Sequence, residues 1–185
     1  VYEASGKAGT IVLAAPSKGR VTIRVHGVTA HAGNEPEKGL NALKVAADLI
    51  MQLPDGRLSP VSTANFSIIE AGSATNVVCD LVTITGEQRS RDAKEYQQIS
   101  ADIQAAADRI SEKYHTKIEV ELHTLYHAFK LEETARPCVL AKEAAEAACA
   151  VPFFKEGGGG MDANHFNEHG IAAFGIGTGN FKCHT

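Results

Sequence analysis

The chemistry available to this 185-residue sequence rests on its eight histidines and on polar residues beside glycine turns. His31 stands in Val25-His-Gly-Val-Thr-Ala-His31-Ala-Gly-Asn34, where a strand-like stretch runs into a helix-forming one. Ala30, Ala32 and Gly33 leave its imidazole uncrowded. That suits a loop histidine bonding the local backbone, and equally a donor that stabilises a developing oxyanion. Asn76 follows a Gly72-Ser-Ala-Thr turn, and Arg89 ends a strand beside Ser90. A guanidinium there can hold a carboxylate through two parallel hydrogen bonds, or make an ordinary surface ion pair.

Other candidates are weaker. His165-Phe-Asn-Glu-His169 has the His-x-x-Glu-His spacing of one class of zinc peptidases, and two histidines at i and i+4 share a helix face. The helix available is short, it follows four glycines, and only sixteen residues remain for a third ligand. Gly157 to Gly160 lacks the Gly-Lys-Ser/Thr of a phosphate cradle and reads as a mobile loop. His184 lies in a glycine-rich loop after a buried strand, where ligands gather in α/β sheets.

The elements that must position these groups follow from periodicity. Gly9 to Ala14 is an apolar run that reads as a strand covered on both faces. Val21, Ile23 and Val25 alternate with Thr22, Arg24 and His26 as a half-buried strand. Asn34-Glu-Pro36-Glu offers a helix start, and Leu40, Leu43, Ala47 and Ile50 form its apolar stripe. Thr63–Ile69 and Val77–Glu87 read as strands, with Ala64, Phe66 and Ile68 on one face of the first. Asp92 and Glu95 resemble a capping box before a helix striped by Tyr96, Ile99, Ile103, Ala106, Ile110 and Tyr114. Lys117 to Leu125 alternates, with Ile118, Val120 and Leu122 inward. The order strand, helix, strand, strand, helix, strand predicts an α+β ferredoxin-like βαββαβ domain. It has a four-stranded antiparallel sheet with both helices on one face. Beyond Phe129 an Ala-rich helix from Thr134 to Ala150, a short helix from Asp162 to His169 and a strand from Ile171 to Ile176 make an incomplete α/β portion. The strand near Ile11 could complete it.

Composition sets the outer bounds. A chain 44% hydrophobic and 22% charged can build a core. A net charge of -4 excludes a generally basic nucleic-acid binder. No run approaches the ~18 apolar residues of a membrane span, and no signal peptide is evident. Cys79, Cys138, Cys149 and Cys183 form no Cys-x-x-Cys pair, which predicts reduced thiols in a cytoplasmic protein. The start at Val1 rather than Met reads as a cut point.

Taken together, several stretches resemble one family, in order and over essentially the whole chain. The His31 stretch through Gly39-Leu-Asn-Ala42 is similar to the lid-domain opening of the cocatalytic zinc peptidase superfamily of aminoacylases, carboxypeptidases and peptidase T. Ala64-Asn-Phe66, Gly72-Ser-Ala-Thr-Asn76-Val-Val-Cys-Asp80 and Gly86-Glu-Gln-Arg89-Ser90 resemble its next lid motifs. Tyr126-His-Ala-Phe129-Lys, Gly159-Gly-Met-Asp162-Ala-Asn and the closing Cys183-His184-Thr185 resemble its return into the catalytic domain. The resemblance is closest to the peptidase T-like, tripeptidase branch.

This resemblance implies two zinc ions bridged by a water, a glutamate base, and small peptide substrates. It implies that His31 stabilises the oxyanion, in many members by reaching into the partner subunit's site. Asn76 and Arg89 would hold the substrate, Arg89 through its carboxylate. Asp162 would face the substrate, and His184 would be the last metal ligand, which leaves no metal role for His165 and His169. It divides the chain into 1–18, the end of a catalytic segment and hinge; 19–126, a lid that forms a homodimer; and 127–185, part of the catalytic domain. Cys79 stands where the family usually has proline, which is expected to loosen that turn. The family's His-x-Asp pair, bridging Asp, catalytic Glu and remaining carboxylate ligand would lie upstream of Val1, so the chain alone is expected to be inactive. Two alternatives remain open: a free dimerisation or binding module, and an amidohydrolase acting on N-acyl amino acids.

Overall fold

The structure, a computed structural model, describes residues 6–177 and 179. In chain order the strands and helices begin with β1 (Thr10–Ala15), β2 (Ser17–His26), α1 (Ala42–Ile50), β3 (Gly56–Arg57), β4 (Ser62–Ala71) and β5 (Leu81–Ser90). They continue with α2 (Ala93–Tyr114), β6 (Ile118–Tyr126), β7 (Phe129–Lys130), α3 (Arg136–Ala147), β8 (Phe153–Glu156), α4 (Asp162–Glu168) and β9 (Gly175–Ile176). They fall into two compact units. The inserted unit is Gly19–Arg89 with Lys94–His123; the flanking unit is Val1–Lys18, Ser90–Ala93 and Thr124–Thr185. Among the described residues no helix is long and apolar enough to cross a membrane.

In the inserted unit the strand order is β3-β4-β5-β2-β6. With β2 between β5 and β6, this is the split βαβ arrangement expected, and the fold is mixed α+β. The two-residue β3 adds a fifth strand to the expected four. It pairs antiparallel with β4 through Gly56 and Arg57 opposite Ala64 and Thr63. Val21, Ile23 and Val25 of β2, Val82 and Ile84 of β5, and Ile99, Ile103 and Ile110 of α2 share one buried core with Ala42, Val45, Ala46 and Leu49 of α1. Two helices packed over one sheet face remove that face from water, the main favourable term for a domain of this size.

Expectations for the first helix and for β6 are corrected here. The first helix does not begin at Pro36. Pro36–Lys38 is only a 3-10 turn, because Leu40 bridges back to Val28 in extended conformation. Asn41 then caps α1 by accepting from the Leu43 N–H. The buried face of α1 is Ala42, Val45, Ala46 and Leu49, while Leu43 and Ile50 of the expected stripe are exposed. Leu122, expected inward, is exposed, and so is Ile68, which shares a face with Ala64 and Phe66. Glu95, in the first turn of α2, accepts from the Ser59 and Ser62 hydroxyls.

The flanking unit is built around β1, every residue of which is buried. It pairs antiparallel with β7 and β9 and parallel with β8. β8 was not expected from the sequence, and the expected Ile171–Ile176 strand shrinks to β9, with Ile171 exposed. Two small clusters stand in for a core: Ile11, Leu13 and Cys138, and Ala15, Phe129 and Ala163.

Candidate functional site

Gly27 shows why the chain leaves β2 as it does. A side chain there would meet the Leu40 carbonyl oxygen at 2.2 Å and the Cys79 carbonyl oxygen at 2.9 Å, so only glycine allows three backbones to converge. From that point two loop segments run side by side. Gly27 N–H donates to Asp80 O (2.7 Å), Val78 N–H to Ala30 O (3.0 Å), and Ala32 N–H to Asn76 O (3.0 Å). His31 and Val77 form an isolated β-bridge. His31 and Asn76, forty-five positions apart in sequence, therefore share one exposed corner of the inserted unit. Cys79 is buried in the core beside them. Its carbonyl accepts from Ala42 N–H at 2.8 Å, so the turn lacking the usual proline is tied down.

The imidazole of His31 is oriented by its own loop. Nδ1 accepts from the backbone N–H of Gly33 (3.1 Å) and of Asn34 (3.2 Å). A ring nitrogen that accepts carries no proton, so the neutral ring holds its proton on Nε2. The result is one exposed N–H donor on a fixed ring. One ring nitrogen binds the backbone and the other is available to a ligand.

Arg89 is placed elsewhere. It lies near the far end of β5, half-buried, with Nε donating to Glu87 Oε1 at 2.6 Å. From Leu81 to Arg89 the strand advances about 26 Å at ~3.3 Å per residue. The structure thus brings His31 together with Asn76 but not with Arg89.

Asp162 is exposed in the first turn of α4, in the flanking unit. His184 lies outside the described residues. His165 and His169 make local contacts: the His165 ring packs edge-on against Tyr126 (5.9 Å between centroids), and His169 Nδ1 lies 2.8 Å from the His165 carbonyl oxygen. Among the described residues no three His, Cys, Asp or Glu side chains converge to hold a metal ion.

Two groups escaped sequence reasoning. Asn164 is 1% exposed, and its side chain bonds three backbone groups. Glu156 pairs with Lys130 (2.9 Å) and Arg91 (3.2 Å); the Lys130 ammonium, more than Arg91, holds its carboxyl below the usual range. Neither has a periodic signal; only the motif around Asp162 pointed near them. Two open cavities in the flanking unit, of about 660 Å³ beside Thr10 and Phe153 and about 360 Å³ beside Lys130 and Phe154, include none of the candidate site residues.

Comparison with known proteins places the chain in a family. The M20 peptidase dimerisation domain matches residues 16–115. YqjE, an uncharacterized protein of Bacillus subtilis, is 35% identical over 99% of this chain. The crystal structure of aminopeptidase PepT from Bacillus cereus is similar over 100% of the chain, at 36% identity and a TM-score of 0.88. That of a tripeptidase from Staphylococcus aureus is similar over 99%, at 30% identity and a TM-score of 0.91. The chain spans about half the length of each, 49% in all three cases. With over half its residues matched by the family and both peptidases superposing along its length, the chain belongs to the M20 peptidase dimerisation-domain family.

Proposed function

We propose that this chain is the lid and part of the catalytic domain of a zinc-dependent aminopeptidase or tripeptidase that hydrolyses small peptides as a cytoplasmic homodimer. The observation that carries this reading is the His31 loop. A neutral imidazole, held through Nδ1 and offering Nε2–H, is suited to donate to the oxyanion that forms when a scissile carbonyl is attacked. Asn76 beside it would orient the peptide, and Arg89 would hold the substrate carboxylate. Asp162 would bind substrate. The zinc ions belong to the whole enzyme; His184 is the ligand this chain would contribute, and the chain alone is inactive.

The spacing within the inserted unit supports a site shared by two copies. A tripeptide spans about 10 Å, far less than the ~26 Å between the two ends of β5. His31 and Arg89 of one copy therefore serve different substrates, and each site takes His31 from the partner. Leu43 and Ile50 on the outer side of α1, with Ile68 and Ile69 on β4, leave apolar surface for such a partner. Acting as a binding module alone, the second reading, would use that same surface without any hydrolysis.

The test is tripeptide hydrolysis by the whole enzyme carrying His31→Ala. Loss of one oxyanion donor lowers kcat by about 10²–10³. An unchanged kcat would remove His31 from the reaction, and an enzyme with no peptide hydrolysis at all would leave the binding-module reading.

A further inference from the structure

The chain passes between the flanking and inserted units through three segments: Pro16 to Lys18, Ser90 to Ala93, and Thr124 to Ala128. All three are fastened, inside the flanking unit, to the stretch from Glu156 to Asn164. Asn164 Oδ1 accepts from Met161 N–H at 3.0 Å. Its Nδ2 donates to Pro16 O (3.1 Å) and to His127 O (2.7 Å). The same two crossings are tied directly, where Ala128 N–H donates to Ser17 Oγ at 2.8 Å. The third crossing is held by Arg91, with Nη1 donating to Gly157 O at 3.1 Å and Nη2 lying 3.2 Å from Glu156 Oε2. Gly160 lies beneath Tyr126, where a side chain would meet Oη at 2.0 Å.

These bonds exceed what local structure requires. Capping α4 needs only the Oδ1 bond, yet both amide hydrogens of Asn164 go to carbonyls 148 and 37 positions away. Glu156 already has Lys130 to balance its charge. What Arg91 adds is geometric, since its planar fork spans two consecutive residues.

We propose that Asn164 and Arg91 are positioning residues. Together they clasp the three crossing segments to the Asp162 loop, so that these parts of the flanking unit hold one arrangement. The consequence for catalysis rests on the reading that Asp162 faces substrate. Asp162 lies two residues from Asn164 in the same helical turn, so a loosened clasp misplaces it.

Hydrogen exchange by mass spectrometry on this chain tests the clasp without any peptidase assay. Asn164→Asp keeps the acceptor for Met161 but removes both donors. Exchange at Ala128, whose N–H donates to Ser17 Oγ beside the clasp, should rise about tenfold, with Met161 and α2 still protected. Arg91→Gln, at a partly exposed position, should loosen Ser90 to Ala93 and Gly157 to Gly160, with Ala128 unchanged. Unchanged exchange at these segments, or a uniform rise across α3 and α4, would overturn the clasp. In the whole enzyme Asn164→Asp should raise KM for a tripeptide about fivefold, with kcat changed less. An unchanged KM would cut the link to Asp162. A wild-type enzyme without peptidase activity would refute the peptidase reading, while the exchange result still decides the clasp.

Discussion

The inserted unit gathers its apolar side chains into one core shared by three strands and two helices. The flanking unit divides a smaller set between two clusters. The difference teaches where each unit's order comes from. In the inserted unit it comes from burial, which tolerates irregular loops such as the His31 corner because the core beneath is fixed. In the flanking unit a few polar ties, those of Asn164 and Arg91 among them, do much of the positioning.

That contrast can be broken by mutation. Ile103→Ala removes a fully buried side chain from the larger core and should cost about 2–5 kcal/mol in urea unfolding. Leu13→Ala in a three-residue cluster should cost clearly less; equal losses would mean that the flanking unit has a comparable core. Gly160→Ala forces the Tyr126 ring to move and should cost about 1–3 kcal/mol. Gly158→Ala points into open space and should stay within about 0.5 kcal/mol. Similar effects at the two glycines would show that Tyr126 does not pin the loop.

Acid gives the smallest effect and touches both units. Lys113, with Tyr114, holds the Asp48 carboxyl below its ordinary value, and Lys130 does the same for Glu156. A depressed carboxyl contributes stability above its unfolded pKa and loses it as pH falls through the folded one. Stability should therefore decline as pH falls from about 4. Asp48→Asn should flatten the decline of the inserted unit, and Glu156→Gln that of the flanking unit, both followed by thermal melts between pH 6 and pH 3. A decline unchanged in both variants would remove these pairs from the acid response.

Much of the inserted unit was legible because its strands alternate over many residues and α2 carries one long stripe. The first helix was misread for a physical reason. Leu43, Ala47 and Ile50 repeat as well as Val45, Ala46 and Leu49 do, and periodicity cannot say which of two apolar faces meets the core. Its early start was misread because Pro36 suits a 3-10 turn as well as a helix. In the flanking unit β8 is only four residues long, and it is fixed by pairing with β1 more than a hundred positions earlier. For the candidate site, the motifs marked His31, Asn76 and Arg89 as residues, but not that β5 holds the first two far from the third. That separation depends on strand length and topology, which no single motif records.

The separation also supplies the most direct test of a site shared by two copies. Whole-enzyme variants His31→Ala and Arg89→Ala would each be nearly inactive toward a tripeptide. Mixed and allowed to exchange subunits, they should recover about one quarter of wild-type activity. Half of the dimers are then mixed, and one of the two sites in each is intact. Activity no higher than that of the separate variants, with subunit exchange verified by mass, would contradict a site built from His31 of one copy and Arg89 of the other.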